Sequence, residues 1–298
     1  MPATLIDGNA IAEQVRAEVR AEIERLRAGG VEPGLAVVLV GDNPASVSYV
    51  RGKTRDAAAI GMRSETFRMP AETSQDELLA FIDRLNADAR WHGVLVQLPL
   101  PPHIDESAIA SAVLVEKDVD GLHPVNVGRL FRGEPAHYSC TPHGVVQMLL
   151  RTGNDPAGKH VVVCGRSNLV GKPLAGLLMQ KRRGGNATVT VCHTGTPDLA
   201  EHARRADVLI AAMGRAGAIT ADMVRPGAVV IDVGVNAIPD ATKKSGQRLV
   251  GDVEFEAVSQ VAAAITPVPG GVGPMTRAML LWNTAIAAGG GPGVSPLS

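Results

Sequence analysis

Aromatic residues are scarce. Four Phe, two Tyr and two Trp make 3% of 298 residues, so a core must be built from Val, Leu, Ile, Ala and Met. Cysteine is scarcer still, and odd in number. Cys140, Cys164 and Cys192 lie far apart, with no C-x-x-C pair and no zinc spacing, which argues against a disulfide framework or a zinc site. Two of the three sit in apolar runs and read as small core residues. The eight histidines form no HExxH or other ligand spacing. Charge of one sign is also lacking: the net charge is −1, which gives no electrostatic support for binding nucleic acid or a membrane surface. No apolar run reaches the length of a membrane span. The N-terminal MPATLIDGNAIAEQ has no basic segment followed by an apolar one, so no signal peptide is expected. A metal-free cytoplasmic protein is the expectation.

What is present is material for a sizeable interior, with 45% apolar and 20% charged residues, and length enough for two domains. Residues 9–28 carry apolar positions at helical spacing, with Asn9 a candidate cap. LAVVLVG (35–41) is a continuous apolar run of the kind found in buried parallel strands. A helix over about 44–60, a strand ETFRM, a helix SQDELLAFIDRLNAD and a strand HGVLVQLPL complete a βαβαβ series. A second such series begins near Cys140, with strands predicted at 160–165, 186–193 and 227–235, a helix at 172–182 and an amphipathic helix at 276–288. This is the grammar of two α/β domains with parallel sheets. The division placed here is 1–139, 140–275 and the final helix, with a Gly/Pro-rich tail at 289–298.

The second half carries VVVCGRSNLVGKPLAGLL, a strand running into a helix through glycines Gly165 and Gly171. The spacing is not G-x-G-x-x-G and alone is weak. The mechanism can still be the same, with a sharp turn after the strand and a helix N-terminus facing phosphate. Arg166 and Ser167 fall where a ribose or phosphate would approach. The next strand ends in Cys192–His193–Thr194, with none of the carboxylate that binds NAD ribose hydroxyls. A polar strand end is common in itself, but the missing acid and the nearby Arg166 favour the 2′-phosphate of NADP. Farther on, ITPVPGGVGPMT packs Pro267, Pro269, Gly270, Gly271, Gly273 and Pro274 together and then enters a helix with Thr276 as a candidate cap. Either it is a plain connection, or it is a stiff loop that lets a flat ligand come close to backbone.

In the first half, Tyr49 and Lys53 stand one helical turn apart on the same face. Taken alone, the pair is a solvated helix face with a partly buried tyrosine. Gln97 interrupts an apolar run near a strand end. KDVDG offers Asp118 and Asp120 in what reads as a turn with exposed carboxylates. Ligand crevices of open α/β sheets lie at the carboxyl ends of strands, and one such crevice can collect Lys53, Tyr49, Gln97 and Asp120. The Tyr-x-x-x-Lys pair also occurs in short-chain dehydrogenases, but there it follows the glycine loop, whereas here it precedes the loop by more than a hundred residues.

Nine stretches, from YVRGKTRDAAAIGM through VLVQLPLPPHI, KDVDGLHPVNVGRL, CTPHGV, VVVCGRSNLVGKP, ATVTVCHTGT, VVIDVGVN and GDVEFEAV to TPVPGGVGPMT, occur in one order from about Asp7 to Asn283. By these the chain resembles the bifunctional methylenetetrahydrofolate dehydrogenase/methenyltetrahydrofolate cyclohydrolase family. The resemblance implies two α/β domains around a cleft, the second a Rossmann-type NADP-binding domain, with the C-terminal helix returning to the first domain. It implies Lys53 as the catalytic lysine, Tyr49 as its partner, Gln97 as the side chain that tunes it and Asp120 as the carboxylate that holds the pterin. It further implies Gly165, Arg166, Ser167, Thr194 and Val235 as cofactor contacts, and Leu98, Pro269, Gly270 and Gly271 beside the substrate. Tetrahydrofolate derivatives as substrates and a homodimer belong to the same expectation. One departure is QKRRGGNATV, a few residues longer than the family norm and expected to be an exposed loop; it bears most on Thr194, a position that is often serine in the family.

The chemistry so implied is oxidation of 5,10-methylenetetrahydrofolate with NADP, then hydrolysis of the methenyl product to 10-formyltetrahydrofolate. The first step needs orientation above all. The second needs proton transfer, for which Lys53 is suited if its proton affinity is lowered. A dehydrogenase that has lost the second step, an unrelated NADP oxidoreductase and a silent folate-binding regulator are the other readings. Retention of Lys53 and Gln97 argues against the first, folate binding would exclude the second and turnover the third.

Overall fold

The computed structural model describes residues 2–243 and 246–291. In chain order the elements are β1 (Thr4–Leu5), α1 (Gly8–Ala28), β2 (Gly34–Val40), α2 (Pro44–Ala59), β3 (Arg63–Met69), α3 (Gln75–Ala87), β4 (Gly93–Val96), α4 (Glu106–Ala112), α5 (Pro124–Arg132) and α6 (Cys140–Arg151). There follow β5 (His160–Cys164), α7 (Gly171–Leu178), β6 (Thr188–Cys192), α8 (Leu199–Arg204), β7 (Val208–Ala211), β8 (Val229–Asp232), β9 (Asn236–Pro239), β10 (Gln247–Val250), α9 (Phe255–Val258), β11 (Ala264–Ile265) and α10 (Val272–Ala288).

The chain forms two compact units. One holds Glu13–Cys140 with the described residues from Arg277 on; the other holds the described residues up to Ala12 with Thr141–Thr276. The first is built on a parallel sheet of order β3-β2-β4. Its central strand, GLAVVLV, is buried at all seven positions. That is why the run shows no alternation: helices cover both faces of a parallel sheet. A capping box at Ser74 and Glu77 starts α3, and the Asn43 side chain starts α2 by accepting from the Ala45 and Ser46 amides. The last helix belongs here too. The Asn283 amide donates to the Val119 and Tyr138 carbonyls at 2.8 and 3.0 Å.

The other unit carries a six-stranded sheet of order β1-β11-β8-β7-β5-β6, parallel throughout. β5 lies between β6 and β7, so the strand order reverses there, and Gly165 follows directly. Reversal points of this kind are where open α/β sheets bind ligands.

Several details depart from the sequence reading. Residues 1–139 do not stay together: β1 pairs in parallel with β11, which takes the described residues up to Ala12 into the larger-sheet unit. Asp7, not Asn9, caps α1, its carboxylate accepting from the Asn9 and Ala10 amides. α10 begins at Val272, so Thr276 lies inside the helix, where its hydroxyl donates to the Val272 carbonyl. α7 ends at Leu178. The long segment after it is not a free loop, because the Asn186 amide closes it on the Gln180 carbonyl at 2.7 Å and Gly184 is buried against Val146 and Leu150. Most of the anticipated tail, 292–298, lies outside the described residues.

Candidate functional site

In the smaller-sheet unit, α2 carries Tyr49 and Lys53 in consecutive turns, but their surroundings differ. Lys53 is 8% exposed and Tyr49 42%, so the tyrosine is an exposed side chain, not a partly buried one. The Lys53 ammonium nitrogen donates to Gln97 Oε1 at 2.9 Å. Gln97 is fixed by its other contacts: its Nε2 donates to the Leu98 carbonyl at 2.6 Å and its backbone amide to the Val38 carbonyl at 2.9 Å. That leaves Oε1 free to face the amine. Burial pushes the Lys53 pKa below the ordinary lysine range, with the Arg277 charge acting the same way; Asp120 and Cys140 oppose them without prevailing. Desolvation penalises a charge more than a neutral amine, so this amine is poised to lose its proton more readily than a surface lysine.

The KDVDG turn separates its two carboxylates. Asp118 is 4% exposed, contrary to the exposed pair that the sequence suggests. Its oxygens accept from the Leu122 and His123 amides and from Asn126 Nδ2, at 3.1, 2.8 and 2.8 Å. It is a structural anchor that holds the start of α5. Burial raises its pKa, against the pull of those hydrogen bonds. Lys117, one residue earlier, donates to the Leu85, Asn86 and Asp88 carbonyls at 3.1, 2.7 and 2.9 Å, closing the end of α3. Between these anchors and Gly121, Asp120 is left half-buried and acts electrostatically on Lys53. Cys140 joins the group. Its thiol donates to the Val119 carbonyl at 3.3 Å and is pushed well above the usual thiol range, first by burial and next by Asp120. The sequence signal for Cys140 was its place in SCTPH, away from the apolar runs that hold Cys164 and Cys192. Arg277 and Asp56, treated below, had no such signal.

In the larger-sheet unit, Gly165, Thr194 and Val235 follow β5, β6 and β8, so all three sit at the carboxyl edge of one sheet. Gly165 has φ +135, and a Cβ there would lie 2.1 Å from the Ala212 carbonyl oxygen. Only glycine fits such a turn. A Cβ on Gly171 would lie 2.1 Å from the Gly165 carbonyl oxygen, so the start of α7 is drawn tightly onto the loop. Arg166, Ser167 and Thr194 are exposed, as is Val235 at 46%. The Ser167 hydroxyl accepts from the Val170 amide at 3.1 Å. His193 is committed to its own turn, its Nδ1 accepting from the Gly195 amide at 3.1 Å. The first acid beyond β6, Asp198, caps α8 by accepting from the Glu201 amide at 3.0 Å. A tight backbone cradle, an exposed arginine and no free carboxylate fit a dinucleotide bearing a 2′-phosphate.

The proline- and glycine-rich loop has a partly structural explanation. Gly271 is buried, and a Cβ on it would lie 2.5 Å from the Pro267 carbonyl oxygen; one on Gly8 would lie 1.7 Å from the Gly271 carbonyl oxygen. The head of α1 therefore packs on this loop backbone to backbone. Pro269 is exposed and Gly270 half-buried, with φ +102.

Sequence reasoning missed a buried carboxylate pair beneath this edge. Asp252 accepts from the Met213, Gly214 and Arg215 amides and from Asn236 Nδ2, at 2.5, 2.9, 2.9 and 2.9 Å. Asp232 accepts from the Gly234, Asp252 and Val253 amides, and burial pushes it up to about 6. Together they tie the turns after β7 and β8. Asp252→Ala leaves those amides without an acceptor, and a loss of about 2–4 kcal/mol in urea unfolding is expected. A change below about 0.5 kcal/mol would show that the turn after β7 holds itself.

Residues 6–120 match the tetrahydrofolate dehydrogenase/cyclohydrolase catalytic domain, and residues 139–290 its NAD(P)-binding domain. The bifunctional protein FolD of Moorella thermoacetica is 56% identical over 288 residues, covering 97% of this chain and 99% of that protein. The crystal structure of the bifunctional FolD dehydrogenase/cyclohydrolase from Campylobacter jejuni superposes with a TM-score of 0.91 at 45% identity, over 97% of this chain and 99% of that one. The FolD structure from Trypanosoma brucei, complexed with NADP cofactor and inhibitor, gives a TM-score of 0.91 at 42% identity, over 97% and 98% of the two chains.

Proposed function

The chain belongs to the tetrahydrofolate dehydrogenase/cyclohydrolase family, and from that premise we propose how its residues divide the chemistry. It is a bifunctional enzyme, with NADP-dependent methylenetetrahydrofolate dehydrogenase and methenyltetrahydrofolate cyclohydrolase activities. NADP, when bound, supplies the acceptor for the hydride that leaves the one-carbon bridge. Gly165, Arg166, Ser167, Thr194 and Val235 hold it, Arg166 on the 2′-phosphate. Tyr49, Leu98, Asp120 and the loop at Pro269, Gly270 and Gly271 orient the folate, with Asp120 accepting hydrogen bonds from the pterin.

Lys53 serves the hydrolytic step. Water adds its oxygen to the methenyl carbon, the bond from that carbon to one ring nitrogen breaks, one water proton ends on that nitrogen and the other passes to solvent. A neutral amine takes the proton from the attacking water and returns it to the leaving nitrogen. Gln97 holds the amine in place through both states, since neutral and charged lysine both donate to it. The observation that carries this reading is the buried Lys53 amine pinned by an amide that is itself pinned.

The test is a spectrophotometric assay with 5,10-methylenetetrahydrofolate and NADP that follows reduced cofactor and methenyl product separately. Both signals, with methenyl consumed, are expected; accumulation of methenyl would mean that Lys53 does not work as stated. A homodimer in the cytoplasm completes the proposal. The three unpaired, buried thiols suit a reducing compartment, which cell fractionation checks. Light scattering should give twice the chain mass of 31.0 kDa.

A further inference from the structure

One face of α2 carries Tyr49, Gly52, Lys53 and Asp56, at helical spacing. An aspartate three residues after a lysine would ordinarily attract the ammonium and favour it. Here the Asp56 carboxylate, itself buried, is taken up elsewhere. Arg277 Nε of α10 donates to its Oδ2 at 2.6 Å, Arg55 lies 3.4 Å from Oδ1, and Arg16 of α1 is 3.9 Å from Oδ2. Three guanidinium groups thus surround one carboxylate. Arg277 reaches it by passing over Gly52, where a Cβ would stand 3.3 Å from Arg277 Cδ and 3.6 Å from Nε. The guanidinium is therefore held against the residue next to Lys53.

We propose that Arg277, laid across Gly52 and anchored on Asp56, is a positioning residue that holds a fixed positive charge against the residue next to Lys53 and so favours the neutral amine. This rests on Lys53 as the proton-transfer group of the hydrolytic step. The charged and titratable groups acting on the amine are Arg277 from α10, Asp120 from the turn after β4 and Cys140 from the head of α6. Arg277 opposes protonation and the other two favour it. Gln97 is neutral and contributes the hydrogen bond alone. A salt bridge that serves only stability would carry no consequence for Lys53; this one adds a positive charge that acts with burial against protonation and offsets part of the larger effects of Asp120 and Cys140.

The test uses the full chain with lysine labelled at Cε, titrated by NMR, with the Lys53 signal identified by its absence in Lys53→Met. Arg277→Met and Arg277→Gln should each move the Lys53 midpoint upward by about half a pH unit or more. Arg277→Lys should hold it within a few tenths of a unit of wild type. Arg16 and Arg55 remain on Asp56 in every variant, so the carboxylate keeps partners, and the glutamine variant can still donate to it. An unmoved midpoint in either the Met or the Gln variant overturns the proposal. In parallel, the pH profile of methenyl hydrolysis should shift with the midpoint, the rate at neutral pH falling about threefold or more. A midpoint that moves while hydrolysis does not follow supports the role of Arg277 in setting the amine and removes Lys53 from the hydrolytic step, which separates the two failures.

Discussion

Lys53→Met abolishes methenyl hydrolysis for practical purposes, a loss of about 10²–10⁴-fold, while part of the dehydrogenase activity survives. Methionine keeps the length and most of the volume of the buried stem but supplies no proton carrier. Hydride transfer asks for alignment of two bound rings and no proton movement, so it suffers only through altered packing and the loss of one donor to Gln97. The variant should fold. The amine it removes is buried and held below the ordinary lysine range, so the lost hydrogen bond at Gln97, worth about 1–3 kcal/mol, is offset in part by relief of a buried cation. The two activities are measured on one preparation, and a urea curve confirms that the fold is kept. An equal fall in both would assign Lys53 to substrate binding alone. In the wild type the sign of the pH dependence follows from the same burial. The form needed is the neutral amine, so hydrolysis falls as pH drops through a value below the usual lysine range of about 10.4.

Arg166→Ala raises the KM for NADP by about 10- to 100-fold and leaves that for NAD within about threefold, because a charge-assisted contact to phosphate is worth about 1.5–3 kcal/mol. The argument rests on what surrounds the loop. Arg166 is exposed, and the first acid beyond β6, Asp198, is spent on capping α8. No carboxylate then stands ready to repel a 2′-phosphate. Steady-state kinetics with both cofactors at two ionic strengths checks this: the NADP advantage of the wild type should shrink in salt and that of the variant should not. Equal losses with both cofactors would move Arg166 from the 2′-phosphate to the pyrophosphate or to loop stability.

The legible parts of the molecule are those in which a short stretch sets its own environment. LAVVLVG and HVVVCG are continuous apolar runs because both faces of a parallel strand are covered, and each became an interior strand, paired on both sides. The turn at Gly165 was readable because a strand runs straight into a helix. What stayed hidden is decided by partners far along the chain. β1 has two residues and no periodicity; it is a strand only because β11 offers it an edge. Which carboxylate of KDVDG turns inward depends on Asn126 and on the amides that open α5. Asp56 reads as one more charge on a helix until Arg277, 221 residues later, lies across it. Asp252 serves three amides nearly forty residues upstream. The proline- and glycine-rich loop was legible as irregular, but part of its glycine content answers to the head of α1, a demand that composition alone does not reveal.

Lys117 places its ammonium on three carbonyls at the end of α3, and the next residue but two is Asp120. A helix end is normally the first part of a helix to fray. Here fraying would release Lys117, and with it the turn that presents Asp120 to Lys53. The order of Asp120, proposed above to hold the pterin, is thereby inherited from a helix terminus remote in sequence, and the two segments share one set of hydrogen bonds. A surface change in the last turn of α3 can therefore reach catalysis as a change in the fraction of molecules whose site is assembled, with every catalytic side chain intact.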